Sequence, residues 1–255
     1  MSLEENRRQV RSLLIERSVS DASAAYYALY HPDDKTELTI CRDAAGVAQG
    51  YVCLSRTGMD LFRQLLTLRL PASADGGEID PKQATTLIYT AIRSGTSLII
   101  NAPRAYRPII TALFEIQSEL PLRLMMLDRA RFKPVINVLV TESESYNGLP
   151  RFVVRSKAGL ESTTGYELAA SAGVNWQSPQ FAEIYVHTQP SYRRRGFGRS
   201  VVAAVVRKVL DAGKTPLYAV GLDNEASTQL AESVGFADTG LVDILYEATL
   251  RPRPL

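Results

Sequence analysis

The run Arg193-Arg194-Arg195-Gly196-Phe197-Gly198-Arg199 combines fixed positive charge with two glycines, as an anion site requires. A guanidinium stays charged at any physiological pH and forks onto phosphate oxygens. Gly196 and Gly198 let the main chain approach a ligand closely and adopt positive φ without steric cost. An apolar strand pattern, Phe181–Thr188, precedes the run, and an apolar helix pattern, Ser200–Ala212, follows it. Strand, glycine-bearing loop and helix start together aim free backbone N–H groups at a phosphate. The expected ligand carries a diphosphate.

Two nucleotide loops do not fit. A P-loop needs Lys-Ser/Thr directly after its last glycine, whereas Arg199-Ser200 follows Gly198 here. A dinucleotide fingerprint needs three glycines and an acidic residue about 20 positions on, but only Gly196 and Gly198 are present, and Asp211 falls at the end of the helix. What remains is Arg193-x-x-Gly196-x-Gly198. This pattern resembles the central motif of the GNAT N-acetyltransferase superfamily. Further on, Asp223-Asn224-Glu225-Ala226-Ser227 and then Val234-Gly235-Phe236 resemble that family's second motif, a helix that starts at Asn and ends at Gly-Phe.

The resemblance implies acetyl-coenzyme A as acyl donor and a primary amine, on a small molecule or peptide, as acceptor. Pantetheine would lie along the Phe181–Thr188 strand and bond to the backbone of Val186 and Thr188. The loop of Arg193, Arg194, Arg195, Gly196, Phe197, Gly198, Arg199 and Ser200 would take the pyrophosphate, with the helix dipole assisting. Asn224 would bond the cofactor or cap its helix, with Ser227 behind it. Glu183 is the general base that the resemblance implies, since the family often places a glutamate on this strand. Tyr185 and His187 share its face under strict alternation, and His187 titrates in a useful range. In many members a tyrosine before the Gly-Phe pair protonates the coenzyme A thiolate. Here that position is Ala231, which leaves Tyr218, Tyr185 or solvent for the task. The alternative function is a non-catalytic acyl-coenzyme A sensor, and a larger acyl group is a further possibility.

Other residues carry less. His31, in Tyr30-His31-Pro32, reads as a loop histidine, Trp176 and Tyr166 as packing or cleft residues, and Arg123, Arg129 and Arg131 as a solvated face. Cys41 and Cys53 form no metal pattern and suit a reducing compartment. A net charge of +2 gives no general argument for nucleic acid or membrane as partner. The start of the chain has no signal-peptide core and no apolar run approaches a membrane span. The expectation is a cytoplasmic protein without metal, monomeric or homodimeric.

The elements that must position these residues read as an α/β chain with mixed α+β sheet. Asn147-Gly148-Leu149-Pro150 is a turn-rich break, giving an N-terminal domain 1–147 and a C-terminal, acetyl-coenzyme A-binding domain 148–255. The C-terminal order is β-β-β-α-β-α-β: Phe152–Arg155, Gly165–Ala170, Phe181–Thr188, helix Ser200–Ala212, Leu217–Gly221, helix Glu225–Val234 and Leu241–Leu250. The N-terminal half repeats this plan faintly. Amphipathic stretches Leu3–Arg17 and Asp21–Tyr30 lead into a hairpin, Leu38–Arg42 and Gly50–Arg56. Helix Pro81–Ile92, strand Ser97–Asn101, helix Tyr106–Glu119 and strand Leu122–Leu127 follow. Its loop before Pro81 has no Arg-x-x-Gly-x-Gly, and Gly76-Gly77 lacks arginine neighbours. The whole is expected to be a tandem GNAT-like fold whose first half has lost the cofactor loop, with the acceptor entering between the halves.

Overall fold

A computed structural model of the chain describes residues 2–58, 60–73, 78–143, 145, 148–157 and 166–253. The chain forms two compact units, one of Met1–Leu122 with Val242–Leu255, the other of Arg123–Leu241. The boundary expected at 147/148 is therefore misplaced. Gly148-Leu149-Pro150 lies inside the second unit, just before a strand, and Asn147 is outside the described residues. The chain passes between units within two long strands, Phe114–Leu127 and Phe236–Leu250, not at a turn. The end of the chain closes the first unit.

The first unit opens with helix α1 (Leu3–Val10), fixed by a reciprocal cap between Ser2 and Glu5. Helix α2 (Ala22–Ala25) runs on as a π-helical turn to Tyr30. Strands β1 (Thr36–Arg42) and β2 (Ala48–Ser55) are the expected hairpin. Strand β3 (Leu65–Arg69) was not read from the sequence. Helix α3 (Pro81–Ala91) and strand β4 (Ser97–Pro103) follow, then helix α4 (Arg107–Leu113). The helix expected to reach Glu119 ends at Leu113. From Phe114 the pattern Phe-Glu-Ile-Gln alternates between faces, and the chain becomes strand β5 (Phe114–Leu127). β2 pairs antiparallel with β1 and β3, β3 parallel with β4, and β4 antiparallel with residues 243–249 of the last strand. Leu66, Leu98, Ile100, Ile244 and Tyr246 meet Leu87, Ile88 and Ile110 in its core.

The second unit begins at the end of β5 and includes β6 (Val140–Ser143), a strand not expected from the sequence. Strands β7 (Arg151–Lys157), β8 (Tyr166–Gln177) and β9 (Phe181–Thr188) form an antiparallel set with β6. Helix α5 (Phe197–Asp211), strand β10 (Thr215–Gly221), helix α6 (Glu225–Val234) and the start of β11 (Phe236–Leu250) complete it. Val201, Val202, Val205, Val206 and Val209 of α5 are fully buried against β8 and β9. Burying a valine contributes about 1.5 kcal/mol or more. That anchoring outweighs the roughly 1 kcal/mol a helix loses by lacking a side-chain N-cap, and α5 has no such cap.

Candidate functional site

β9 and β10 run parallel but stay paired over three positions only: Phe181 with Thr215, Ala182 with Pro216 and Glu183 with Leu217. Beyond Glu183 the two strands part, although β9 continues to Thr188 and β10 to Gly221. On its other edge β9 stays paired with β8 to Thr188. Gln189 N–H donates to Ala169 O at 3.0 Å, so that pair is a hydrogen-bonded one. Such pairs alternate along an antiparallel ladder, so His187 and Tyr185 face β8 with their backbone groups. Val186 and Thr188 point theirs away from β8, into the opening. The Thr188 carbonyl accepts one long bond, from Arg193 Nε at 3.5 Å.

A cavity of about 750 Å³ joins this edge to the start of α5 and one face of α6. Of the residues singled out from the sequence, Val186, Thr188, Arg193, Arg194, Gly196, Phe197, Gly198, Arg199, Asn224 and Ser227 line it. Gly196 is the N-cap of α5, at φ +77°. Arg194 also takes a positive φ, +61°. The first intrahelical bond runs from Ser200 N–H to Gly196 O, at 3.0 Å. The amides of Phe197, Gly198 and Arg199 precede it and meet no side-chain cap. A Cβ on Gly198 would lie 2.8 Å from Leu230 Cδ1 and 2.9 Å from Thr188 Oγ1. Only glycine lets helix and strand approach this closely.

Two of the residues expected to bind the cofactor are not in the wall. Ser200 is buried, its N–H is used within α5, and its hydroxyl donates to Gly196 O and accepts from Asn137 Nδ2. It secures the first turn from behind. Arg195 lies with its guanidinium 5.1 Å from the centre of the Tyr192 ring. Tyr192, which directly precedes the arginine run and was given no role from the sequence, lines the cavity, packs against Phe197 and donates its hydroxyl to Glu167. Leu230 was also missed, although it stands one helical turn after Ser227 on the cavity face of α6. Asn224 caps α6, its side-chain oxygen accepting from Ser227 N–H at 3.1 Å.

Glu183 sits three residues up β9 from Val186, at the last pair before the strands part, and is outside the cavity wall. Asn175 Nδ2 donates to its Oε1 at 2.8 Å. Burial raises its pKa above the ordinary carboxylate value, against the lowering effect of hydrogen bonds from the Asn175 and Trp176 side chains. The side chain is nevertheless only partly buried and still meets solvent. His187 is exposed at the cavity edge, whereas Tyr185 lies over Gly173 of β8. Ala231 is fully buried. Tyr218, buried against Phe236, shares a 2.7 Å hydrogen bond with the Ser227 hydroxyl, and burial raises its pKa.

The remaining candidates are structural. His31 is buried, bonded to Thr36 Oγ1 at 2.8 Å, and pushed down to about 4, chiefly by burial and then by Lys35 and Arg7. Trp176 is buried, Tyr166 is exposed, and Arg123 and Arg131 pair with Asp238 and Asp128. Cys41 and Cys53 are free thiols, and burial pushes Cys53 up to about 11. Among the described residues no group of three His, Cys, Asp or Glu could hold a metal, and no helix is long and apolar enough to cross a membrane.

Residues 163–241, which carry this site, match the model of the FR47-like protein family. No curated protein matches the chain. Among solved structures, a tandem GNAT protein from the clavulanic acid biosynthesis pathway is similar over 100% of this chain and 98% of its own, with 12% identity and TM-score 0.60. A GCN5-related N-acetyltransferase from Kribbella flavida aligns over 92% and 96%, at 12% identity and TM-score 0.62. A GCN5-related N-acetyltransferase-like protein from Streptococcus suis aligns over 97% and 100%, at 14% identity and TM-score 0.60. These are likenesses of fold, and the fold they share is the one that the two sequence motifs implied.

Proposed function

We propose that this protein, whose fold is that of the GNAT N-acetyltransferases, tandem members included, transfers the acetyl group of acetyl-coenzyme A to a primary amine. The observation that carries the reading is the cavity joining the uncapped start of α5 to the unpaired edge of β9. Phosphates suit free amides at a helix start, where the dipole and neighbouring arginines add positive potential. An extended amide chain suits a strand edge with alternating donors and acceptors. Both features meet at Gly198, and Glu183 stands at the far end of the same strand.

In this reading Phe197, Gly198 and Arg199 hold the pyrophosphate through their amides, and Val186 and Thr188 align the pantetheine. Acetyl-coenzyme A supplies the activated thioester. Glu183, with its pKa raised, accepts the proton that an ammonium must lose before it can attack. The linked hydroxyls of Tyr218 and Ser227 give the cavity wall a proton source in place of the tyrosine that Ala231 lacks. With both thiols free, we place the protein in the cytoplasm.

Ala231 favours a second reading, a binder that senses acyl-coenzyme A without turnover. One experiment separates the two: calorimetric titration with acetyl-coenzyme A, then thiol release across a panel of primary amines. Binding with release in the presence of an amine is the expected result. Binding with silence across the panel would replace the enzyme by the sensor, and no binding would remove both.

A further inference from the structure

We infer that the acceptor is an amine that also carries a carboxylate, a free amino acid in the simplest case, and that Arg151 receives this carboxylate. The inference rests on the reading of Glu183 as base and names the substrate class for that site.

The sheet of the second unit has two faces. Ala182 and Ile184 of β9, Ala172 and Val174 of β8 and Val154 of β7 belong to the core that α5 covers. Side chains alternate along a strand, so Glu183, Tyr185, Gly173 and Arg151 belong to the opposite face. Register places three of them in one row across the strands, Arg151 beside Gly173 and Gly173 beside Tyr185. Gly173 has no side chain, and Tyr185 takes up that space. A Cβ there would stand 2.8 Å from the Tyr185 hydroxyl and 2.9 Å from its ring. The hydroxyl thus lies over β8, one strand from Arg151.

Arg151 Nε is buried and has no hydrogen-bond partner among the described residues. Arg151 also makes no ion pair with a carboxylate among the described residues. A guanidinium cannot shed its charge, and a buried donor left unmade carries its full desolvation cost, so such a group in a folded protein calls for a missing partner. Glu183 does not fill that place: the hydrogen bonds to its carboxyl come from Asn175 and Trp176, and among the described residues no ion pair joins it to Arg151. From strand spacing and rise, the Cα atoms of Arg151 and Glu183 are about 12 Å apart on the diagonal. That span suits an arginine and a glutamate with a small zwitterion between their heads. The ammonium end meets the base, the carboxylate end meets Arg151, and the Tyr185 hydroxyl offers a donor between them.

The test compares acceptors that differ only in this charge: glycine with glycinamide, and β-alanine with β-alaninamide. In the wild type, kcat/KM for the carboxylate member should exceed that for the amide by about 10- to 100-fold, the scale of a charge-assisted hydrogen bond. Arg151→Met should bring the ratio to about one while acetyl-coenzyme A affinity stays within about twofold, and Arg151→Lys should keep part of the preference. A wild-type ratio of one or less overturns the inference whether or not the variants fold, as does a full preference surviving in Arg151→Met. If acetyl-coenzyme A binds but nothing is acetylated, the catalytic reading fails and calorimetry decides the rest. Glycine binding to coenzyme A-saturated protein, lost in Arg151→Met, sustains the carboxylate site. No binding of glycine or β-alanine overturns it.

Discussion

Replacing Gly198 by alanine tests the donor site most directly. The new Cβ would stand 2.8 Å from Leu230 Cδ1 and 2.9 Å from Thr188 Oγ1, about 0.7 Å inside comfortable contact. Leu230 can rotate aside. Thr188 is β-branched, with few rotamers open to it, on a strand that β8 holds in register, so part of the relief must come from α5 moving off β9. A shift of that size spoils amide-to-phosphate bonds that need donor and acceptor about 2.7–2.9 Å apart. Two such bonds, weakened by about 1–1.5 kcal/mol each, reduce affinity for acetyl-coenzyme A by about 30- to 150-fold. Gly196→Ala supplies the contrast. Its Cβ meets nothing within 4 Å, but φ is +77°, so the variant loses about 1–2 kcal/mol of stability and little affinity, about threefold at most. Calorimetric titration of both variants, beside their melting temperatures, reads the two effects apart. Wild-type affinity in Gly198→Ala, or equal losses in the two, would refute the close approach of α5 and β9 as the basis of binding.

Glu183 and Asp80 give two further tests. Because burial raises the Glu183 pKa, the acid limb of the kcat/KM profile should lie above the ordinary carboxylate range, Asn175→Ala should move it higher still, and Glu183→Gln should abolish it. The sign for stability is opposite to that of a salt-bridged acid: the folded state holds this proton more tightly than the unfolded state, so stability falls as pH rises through the raised pKa. Glu183→Gln should therefore melt higher than wild type at pH 7, and the gain should vanish in acid; a lower melting temperature at pH 7 would contradict the desolvation. At the start of α3, Asp80 already fills the place a phosphate would take, so titration should give one acetyl-coenzyme A per chain, and Asp80→Ala should lower the melting temperature without adding a second site. A stoichiometry of two would show the first unit to be a working donor site.

The second half of the chain was the more legible in sequence, for a local reason. Phe181–Thr188 and Glu225–Val234 carry their boundaries within themselves, as apolar alternation ending at Gln189-Pro190 and as an Asn cap ending at Gly235. Both were read to the residue. What failed depended on distant partners. Leu65–Arg69 is only five residues long and reads as a strand once β2 and β4 flank it. The Tyr106–Glu119 stretch has apolar residues at helical spacing, but past Leu113 pairing within a sheet overrides that local preference. The last strand was found, but not its pairing with Ser97–Pro103, since nothing local in Leu241–Leu250 names a partner some 140 residues earlier. The loop Arg193–Arg199 at the start of α5 was visible as a motif. Arg151 was not, because what distinguishes it is an unmade bond and not a spacing.

The two units carry the same frame and differ in what their own side chains occupy. In the first, β3 and β4 are also paired over a short stretch, Leu65 with Ile99 and Leu66 with Ile100, and β3 is followed in the chain by helix α3, which starts at Pro81. There Asp80 accepts from the amides of Lys82 and Gln83, Pro81 has no N–H to offer, and Arg69, at the end of β3, is bound to the buried Asp21. A carboxylate in that position supplies the negative charge a helix start prefers, so an incoming phosphate would have to displace it and would meet its charge. In the second unit the helix start is left open and cations surround it, an arrangement that gains nothing for folding by itself. It persists because the buried valines of α5 hold the helix independently of its cap. Stability in the one unit, and the anion binding proposed for the other, thus turn on whether the chain supplies its own anion, Asp80, or leaves that place, at Gly196, to a ligand.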